Sequence, residues 1–160
     1  MSSVDYIIRP ATAADASAIS NIVTGWAIHY LADPAAEDAQ PFVESLAPGP
    51  TAERIGAPEF RYFVAQDSLG VCGVIAMREG NRIHHLFIRP DANGKGIARA
   101  LWGHARAASG HTIFFVNSAP PAVPVYERFG FVVAGELQSR HGLEFIAMEF
   151  HPDQVRASDV

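Results

Sequence analysis

Cysteine occurs once in this chain of 160 residues, at Cys72, so no disulfide can close within it. Its place in the apolar run Val71 to Met77 predicts a buried structural thiol. Lysine is as scarce: Lys95 is the single one, the twelve basic residues are dispersed, and the net charge is −5. Without a basic stripe, nucleic acid is not an expected partner. A mildly acidic surface tolerates a cationic amine. No stretch approaches the ~20 consecutive apolar residues that span a bilayer, which excludes a helical membrane anchor from the expectations. The N-terminus lacks a basic region followed by an apolar one, so a cytoplasmic protein is expected. The histidines show no metal-ligand spacing, and no metal site is expected. Internal repeats and low-complexity tracts are lacking too.

Core-forming residues are abundant. Hydrophobic residues make up 49% of the chain, which suits one compact domain over residues 1–152, with 153–160 as a frayed polar tail. Tyr6-Ile7-Ile8 reads as a first strand closed by Arg9-Pro10. A helix follows, with Thr12 as its N-cap and Ala18, Ile19, Ile22, Val23 and Trp26 on a buried face. Asp33-Pro34 breaks it. A second helix is expected over 35–46, interrupted by Pro41 and by Pro48-Gly49-Pro50, with 47–59 the loosest part of the chain. Residues 61–65 and 71–77 read as antiparallel strands turned by Asp67-Ser68-Leu69-Gly70. Residues 112–116 form a continuous apolar run that predicts a buried strand. A short helix over 122–129 has Pro124 in its first turn, and 132–134 with 145–150 read as a closing strand pair.

The most informative stretch lies between these, at residues 82–98. Ile83 to Ile88 is a short β-rich apolar run, and Pro90 ends it because proline lacks a ladder donor. Asn93-Gly94-Lys95-Gly96 then makes a tight glycine turn into a helix whose one face carries Ile97, Leu101, Ala105 and Ala108. Strand, glycine turn and helix start, in that order, make an anion site. The first helical N–H groups are unpaired, the helix dipole is positive there, and glycine lets a ligand approach the backbone. The Walker pattern fails because Gly96, not Ser or Thr, follows Lys95. The dinucleotide fingerprint fails at Arg99, where it needs a small residue, and at Asn117-Ser118, where it wants an acid. A nucleotide-binding α/β domain is therefore the remoter alternative.

The turn Asn93-Gly94-Lys95-Gly96-Ile97-Ala98 resembles the acyl-CoA loop of the GNAT N-acetyltransferase superfamily, Gln/Arg-x-x-Gly-x-Gly/Ala, with Asn93 in place of the long first donor. Pro124-Val125-Tyr126-Glu127-Arg128-Phe129-Gly130-Phe131 looks like that family's Pro-x-Tyr-x-x-x-Gly-Phe signature. The resemblance implies an α/β (α+β) fold: a mixed, mostly antiparallel central sheet flanked by helices. One parallel strand pair in it splays apart to admit pantetheine. It also implies acetyl-CoA as cofactor and a primary amine of a small molecule or peptide as acceptor. Direct attack in a ternary complex and a possible homodimer follow from it as well. Cofactor binding is carried over to residues 93–98, to the backbone of Leu86, Phe87 and Ile88, and to Asn117, whose other reading is a turn cap.

Tyr126 is the residue the resemblance marks as general acid. A phenol, with its reference pKa of about 10, suits protonation of a leaving thiolate. Its other reading is a core aromatic packed on Val123 or Phe129. The family's glutamate base has no counterpart, since Arg82 stands at that position. His84, two residues on and therefore on the same strand face, is a candidate base because a neutral imidazole works near pH 7. Alternation would put His85 on the opposite side. Glu79, Glu144 or a water chain are the other readings. Trp26, His29 and Tyr30 end the first helix and either line an amine pocket or serve as core and rim. The missing glutamate and Asn93 keep open a non-catalytic acyl-CoA-binding or regulatory module as the alternative function.

Overall fold

The computed structural model describes residues 5–140 and 142–152; the expected frayed tail, 153–160, lies outside them. Strand β1 (Ile7–Pro10) leads through a 3-10 turn into helix α1 (Ala16–Tyr30), which buries Ile19, Ile22, Val23 and Ala27, with Trp26 half-buried beside them. Helices α2 (Gln40–Ser45) and α3 (Pro48–Ile55) follow. Strands β2 (Phe60–Asp67), β3 (Gly70–Arg78) and β4 (Arg82–Ile88) form an antiparallel meander. Helix α4 (Ile97–Ser109), strand β5 (Phe114–Ser118) and helix α5 (Val123–Phe129) come next. Strands β6 (Val132–Val133), β7 (Gln138–Arg140) and β8 (Leu143–Phe150) close the chain.

The strand order is β1-β2-β3-β4-β5-β8-β6, with β7 pairing β8 off that path. Every pairing is antiparallel except β4 with β5. The sheet separates two cores. On one face α4 and α5 cover Phe63, Ile75, Ile83, Phe114, Phe131 and Phe150. On the other α1 and α3 cover Tyr62, Val64, Val74 and Ala76. This is the mixed α/β, mostly antiparallel architecture expected. Among the described residues no helix is long and apolar enough to cross a membrane, and no cluster of metal-ligating side chains occurs.

Three expectations are corrected. Residues 47–59 are not loose, because Pro48 opens α3. Proline is favoured in the first helical turn, where its missing N–H would have no partner anyway, so the prolines expected to interrupt a helix instead start two. Strand β5 begins two residues later than its apolar run suggested, with Ile113 left exposed. The third correction concerns β4. Ala76 pairs His85, but the next residue, Met77, pairs Ile83, so His84 is an extra residue in β4. Such a bulge cancels the two-residue alternation. His84 and His85 therefore do not face opposite sides: their rings lie 4.2 Å apart and both line one cavity.

Two local devices hold the frame. Gly73 on β3 leaves little room, because a Cβ there would stand 2.8 Å from Ile88 Cδ1 and 3.1 Å from Leu101 Cδ1, and those side-chain ends would have to shift. Its absence of side chain lets Ile97 and Leu101 of α4 pack close to the sheet. At the other end Arg9 donates to both carboxylate oxygens of Asp15, at 2.8 and 2.9 Å, and Asp15 also accepts the Thr12 backbone N–H at 2.8 Å. The Arg9 hydrogen bonds hold the Asp15 carboxyl below its usual range despite burial. The unfolded chain therefore takes up the proton first as pH falls. The stabilisation is complete above the unfolded carboxylate value of about 4 and is lost as pH drops through the folded one. Asp15→Asn is expected to cost about 1–2 kcal/mol at pH 7. The difference from wild type should shrink in urea titrations at pH 3.

Candidate active site

Parallel pairing of β4 with β5 is confined to Arg82↔Phe115 and Ile83↔Val116. Beyond Ile83 the strands part, leaving the β5-facing edge of β4 from His84 to Ile88 without a strand partner. A cavity of about 630 Å³ opens in that gap. Its walls come from both faces of the sheet. Leu86, Ala98, Ala122 and Tyr126 belong to the α4–α5 side, and Val23, Phe42 and Phe87 to the α1–α3 side. The cavity thus passes through the sheet, so two ligands entering from opposite faces would meet in it.

The α4–α5 half fits the cofactor the sequence implied. Leu86, Phe87, Ile88, Asn93, Ala98 and Asn117 line the cavity. Gly94, Lys95 and Gly96 continue the turn at its rim, exposed, while Ile97 is buried beneath. Gly94 and Gly96 both have φ near +80°, with nothing within 4 Å of a notional Cβ. Glycine is demanded there by the left-handed backbone, and the turn is open on that side. Gly96 caps the 13-residue α4, so the helix's unpaired N–H groups present themselves at the rim. Arg89 steadies the approach: it bonds Asp67 at 2.6 Å and Asp91 at 2.5 Å, tying the loop after β4 to the β2–β3 turn.

Tyr126 is buried and lines the cavity, its ring edge-on to Phe129 at 6.1 Å and Phe131 at 5.6 Å. The core packing expected of it and a place on the cavity wall are thus combined in one side chain. Its hydroxyl makes no hydrogen bond among the described residues. Burial, and secondly the neighbouring Tyr30 phenol, push its pKa up, so it stays in the protonated form. Tyr30 lines the same cavity and is itself raised by burial. Trp26 lines it too, and its indole N–H donates to the Ile88 carbonyl oxygen at 2.6 Å, anchoring α1 to the splayed end of β4. His29 is exposed on α1 and does not line the cavity.

The two imidazoles form the floor of the other half. His84 is open to the cavity mouth yet walled by protein, with Phe60 edge-on at 5.0 Å. That desolvation, with the charges of Arg54 and Arg78, lowers its pKa to about 4. His85 is buried, and burial, then His84 and Arg54, lowers its pKa further. Both are neutral at pH 7. Nε2 of His85 is buried with no hydrogen-bond partner. Arg82 instead leans over the Phe115 ring at 5.4 Å and, with Glu79, lines a separate small recess. Glu144 lines the main cavity, as do Arg140 and Phe145. Sequence reasoning missed Phe42, His85, Arg140 and Phe145, and assigned Phe87 only for its backbone. No local signal marks them, because they reach the cavity through the bulge and through the packing of α2 and the β7–β8 hairpin.

Comparison with known proteins agrees with the fold. The chain superposes on a GCN5-related N-acetyltransferase from Rhodopseudomonas palustris with TM-score 0.74, at 21% identity, over 94% of this chain and 98% of that one. A PaiA N-acetyltransferase from Thermoplasma acidophilum in complex with coenzyme A gives TM-score 0.74 at 16% identity, over 92% and 99% of the two chains. A chimeric spermidine N-acetyltransferase from Vibrio cholerae gives 0.63 at 21% identity, over 94% and 98%. No curated protein matches the sequence. The family profile of the acetyltransferase (GNAT) domain matches residues 30–152, a span that contains the β4–β5 gap, the glycine turn and Tyr126. The chain belongs to the GNAT acetyltransferase family and is an acetyl-CoA-dependent acyltransferase.

Proposed function

We propose that this protein transfers acetyl to a primary amine of a small molecule or peptide by direct attack within a ternary complex. The observation that carries the reading is the two-sided cavity at the β4–β5 gap, with Tyr126 on one side and the histidine pair on the other. Acetyl-CoA, when bound, supplies an acetyl thioester. The turn at Asn93, Gly94, Lys95, Gly96, Ile97 and Ala98 holds its phosphates through backbone N–H groups at the start of α4. The unpaired edge of β4 at Leu86, Phe87 and Ile88 holds the pantetheine arm in the manner of an added strand. Asn117 supplies a further amide contact from β5. Tyr126, kept protonated by burial, donates to the sulfur as the thiolate leaves. His84, neutral at working pH, accepts the proton given up by the attacking nitrogen as the C–N bond forms. Trp26 and Tyr30 wall the acceptor side, whereas His29, exposed and away from the cavity, is dropped from the substrate contacts. Cys72 is fully buried in the core and takes no part, in keeping with a route that forms no covalent enzyme intermediate. The exposed Val132 and Val133 of β6 offer an apolar edge for a homodimer.

Calorimetric titration with acetyl-CoA is the test, with free CoA and NADH as controls. Micromolar binding of acetyl-CoA and none of NADH is the expected result, and no binding of either CoA species overturns the reading. Within the same titration Gly96→Val separates the turn from the rest. A β-branched residue at φ near +80° costs about 1–2 kcal/mol or forces the turn to move. Acetyl-CoA affinity should therefore fall about tenfold or more, at an unfolding temperature only modestly lowered.

A further inference from the structure

The acceptor half of the cavity is short of charge. Among the described residues lining it, the carboxylates number one, Glu144, and it shares the wall with the opposing cation Arg140. Rings dominate the rest: Trp26, Tyr30, Phe42, Phe87 and Phe145, with the imidazoles of His84 and His85 tilted against each other. The aliphatic Val23, Ala27 and Leu143 lie beside them. A polyamine carries several ammonium groups, and each one removed from water needs an anionic or hydrogen-bonding partner. This wall supplies too few. Flat apolar walls instead favour a flat apolar body, through offset and edge-on ring contacts. One strong polar opportunity breaks the apolar surface. His85 is 8% exposed, lines the cavity, and holds Nε2 without a partner. Buried polar atoms are paired almost without exception, so an orphan on a residue of the cavity wall calls for a hydrogen-bond partner from what fills the cavity.

Resting on the amine-acetylation reading above, we infer that the acceptor is a monoamine on an aromatic body, its ring between Phe42, Phe87 and Phe145 and its polar head anchored on His85. His84 and His85 are neutral and so do not repel the amine as it arrives. The bulge is what permits the arrangement: with regular alternation only one of the two rings would reach this wall. His85 acts here as a binding residue for the acceptor, distinct from the proton-accepting role of His84.

The test compares 2-phenylethylamine, tryptamine and spermidine as acceptors at saturating acetyl-CoA, by thiol release. The aromatic monoamines are expected to exceed spermidine in kcat/KM by about 100-fold, because unpaired buried charges are strongly rejected. His85→Phe should raise KM for the aromatic amine about tenfold, the worth of one lost hydrogen bond. It should leave the acetyl-CoA Kd and the unfolding temperature where they were, since an apolar ring removes an orphan instead of creating one. His85→Gln, which keeps a hydrogen-bonding head, should recover most of the loss. Preference for spermidine, turnover of neither aromatic amine, or an unchanged KM in His85→Phe overturns the inference. Acetyl-CoA binding, measured separately, reports on the acetyltransferase reading itself, so the two failures are distinguishable.

Discussion

Tyr126→Phe is expected to lower kcat by about 100-fold or more, the lower range for losing a positioned general acid, while acetyl-CoA affinity stays close to wild type. The substitution removes one oxygen and keeps the ring, and the ring is what the core uses. It packs on Phe129 and Phe131, and the hydroxyl makes no hydrogen bond among the described residues. Folding should therefore be indifferent, and the unfolding temperature should not fall. The phenol's elevated pKa sharpens the test. A group that remains protonated through neutral pH produces no descending limb of its own below pH 10. The loss in Tyr126→Phe should accordingly be uniform between pH 6 and 9. Steady-state kinetics across that range, with calorimetry for the cofactor, decides it. Wild-type turnover in the variant would remove Tyr126 from the chemistry and leave it a core aromatic.

Phe131→Ala is expected to cost about 3–5 kcal/mol of stability, lowering the unfolding temperature by roughly 10 °C. Phe131 is the ring that links the site to the core. It lies 5.2 Å from Trp102 on α4, 5.5 Å from Phe150 on β8 and 5.6 Å from Tyr126 on α5. At 2% exposure it has nowhere to lose volume except into a cavity. Neighbours on three different elements cannot all collapse into that space at once. Because one of them is Tyr126, activity should fall more steeply with temperature than global unfolding alone predicts. Urea titration gives the first number and thermal inactivation the second. A loss below 1 kcal/mol would mean that α5 is free to close on the sheet.

These two expectations divide along a line that runs through the whole molecule. Wherever a short segment dictates its own geometry, the chain could be read directly. Gly94 and Gly96 announced a tight turn into α4, and the spacing of Ile97, Leu101 and Ala105 announced that helix's buried face. Pro124 announced the start of α5, and Asp67 to Gly70 the turn between β2 and β3. Turn chemistry and helical period act within a few residues, so they survive without the rest of the fold. The prolines at 41 and 48 were legible as punctuation but not in sense, since the same residue ends one helix and opens another.

What sequence could not decide was anything set by strand register. One extra residue in β4, opposite Ala76 and Met77, turns His85 to the same wall as His84 and leaves its nitrogen without a partner. No residue type encodes that bulge locally, because pairing is negotiated between strands and a shift of one position exchanges the two faces. The acceptor wall has the same origin, drawing Phe42, Phe87, Arg140 and Phe145 from elements far apart in the chain. The sequence by itself determined the glycine turn, the start of the helix that carries Tyr126 and most of the order of elements, α3 and β7 excepted. A splayed parallel pair is expected from the family resemblance, but only tertiary structure decided that β4 and β5 part after Ile83, and therefore which side chains meet in the gap.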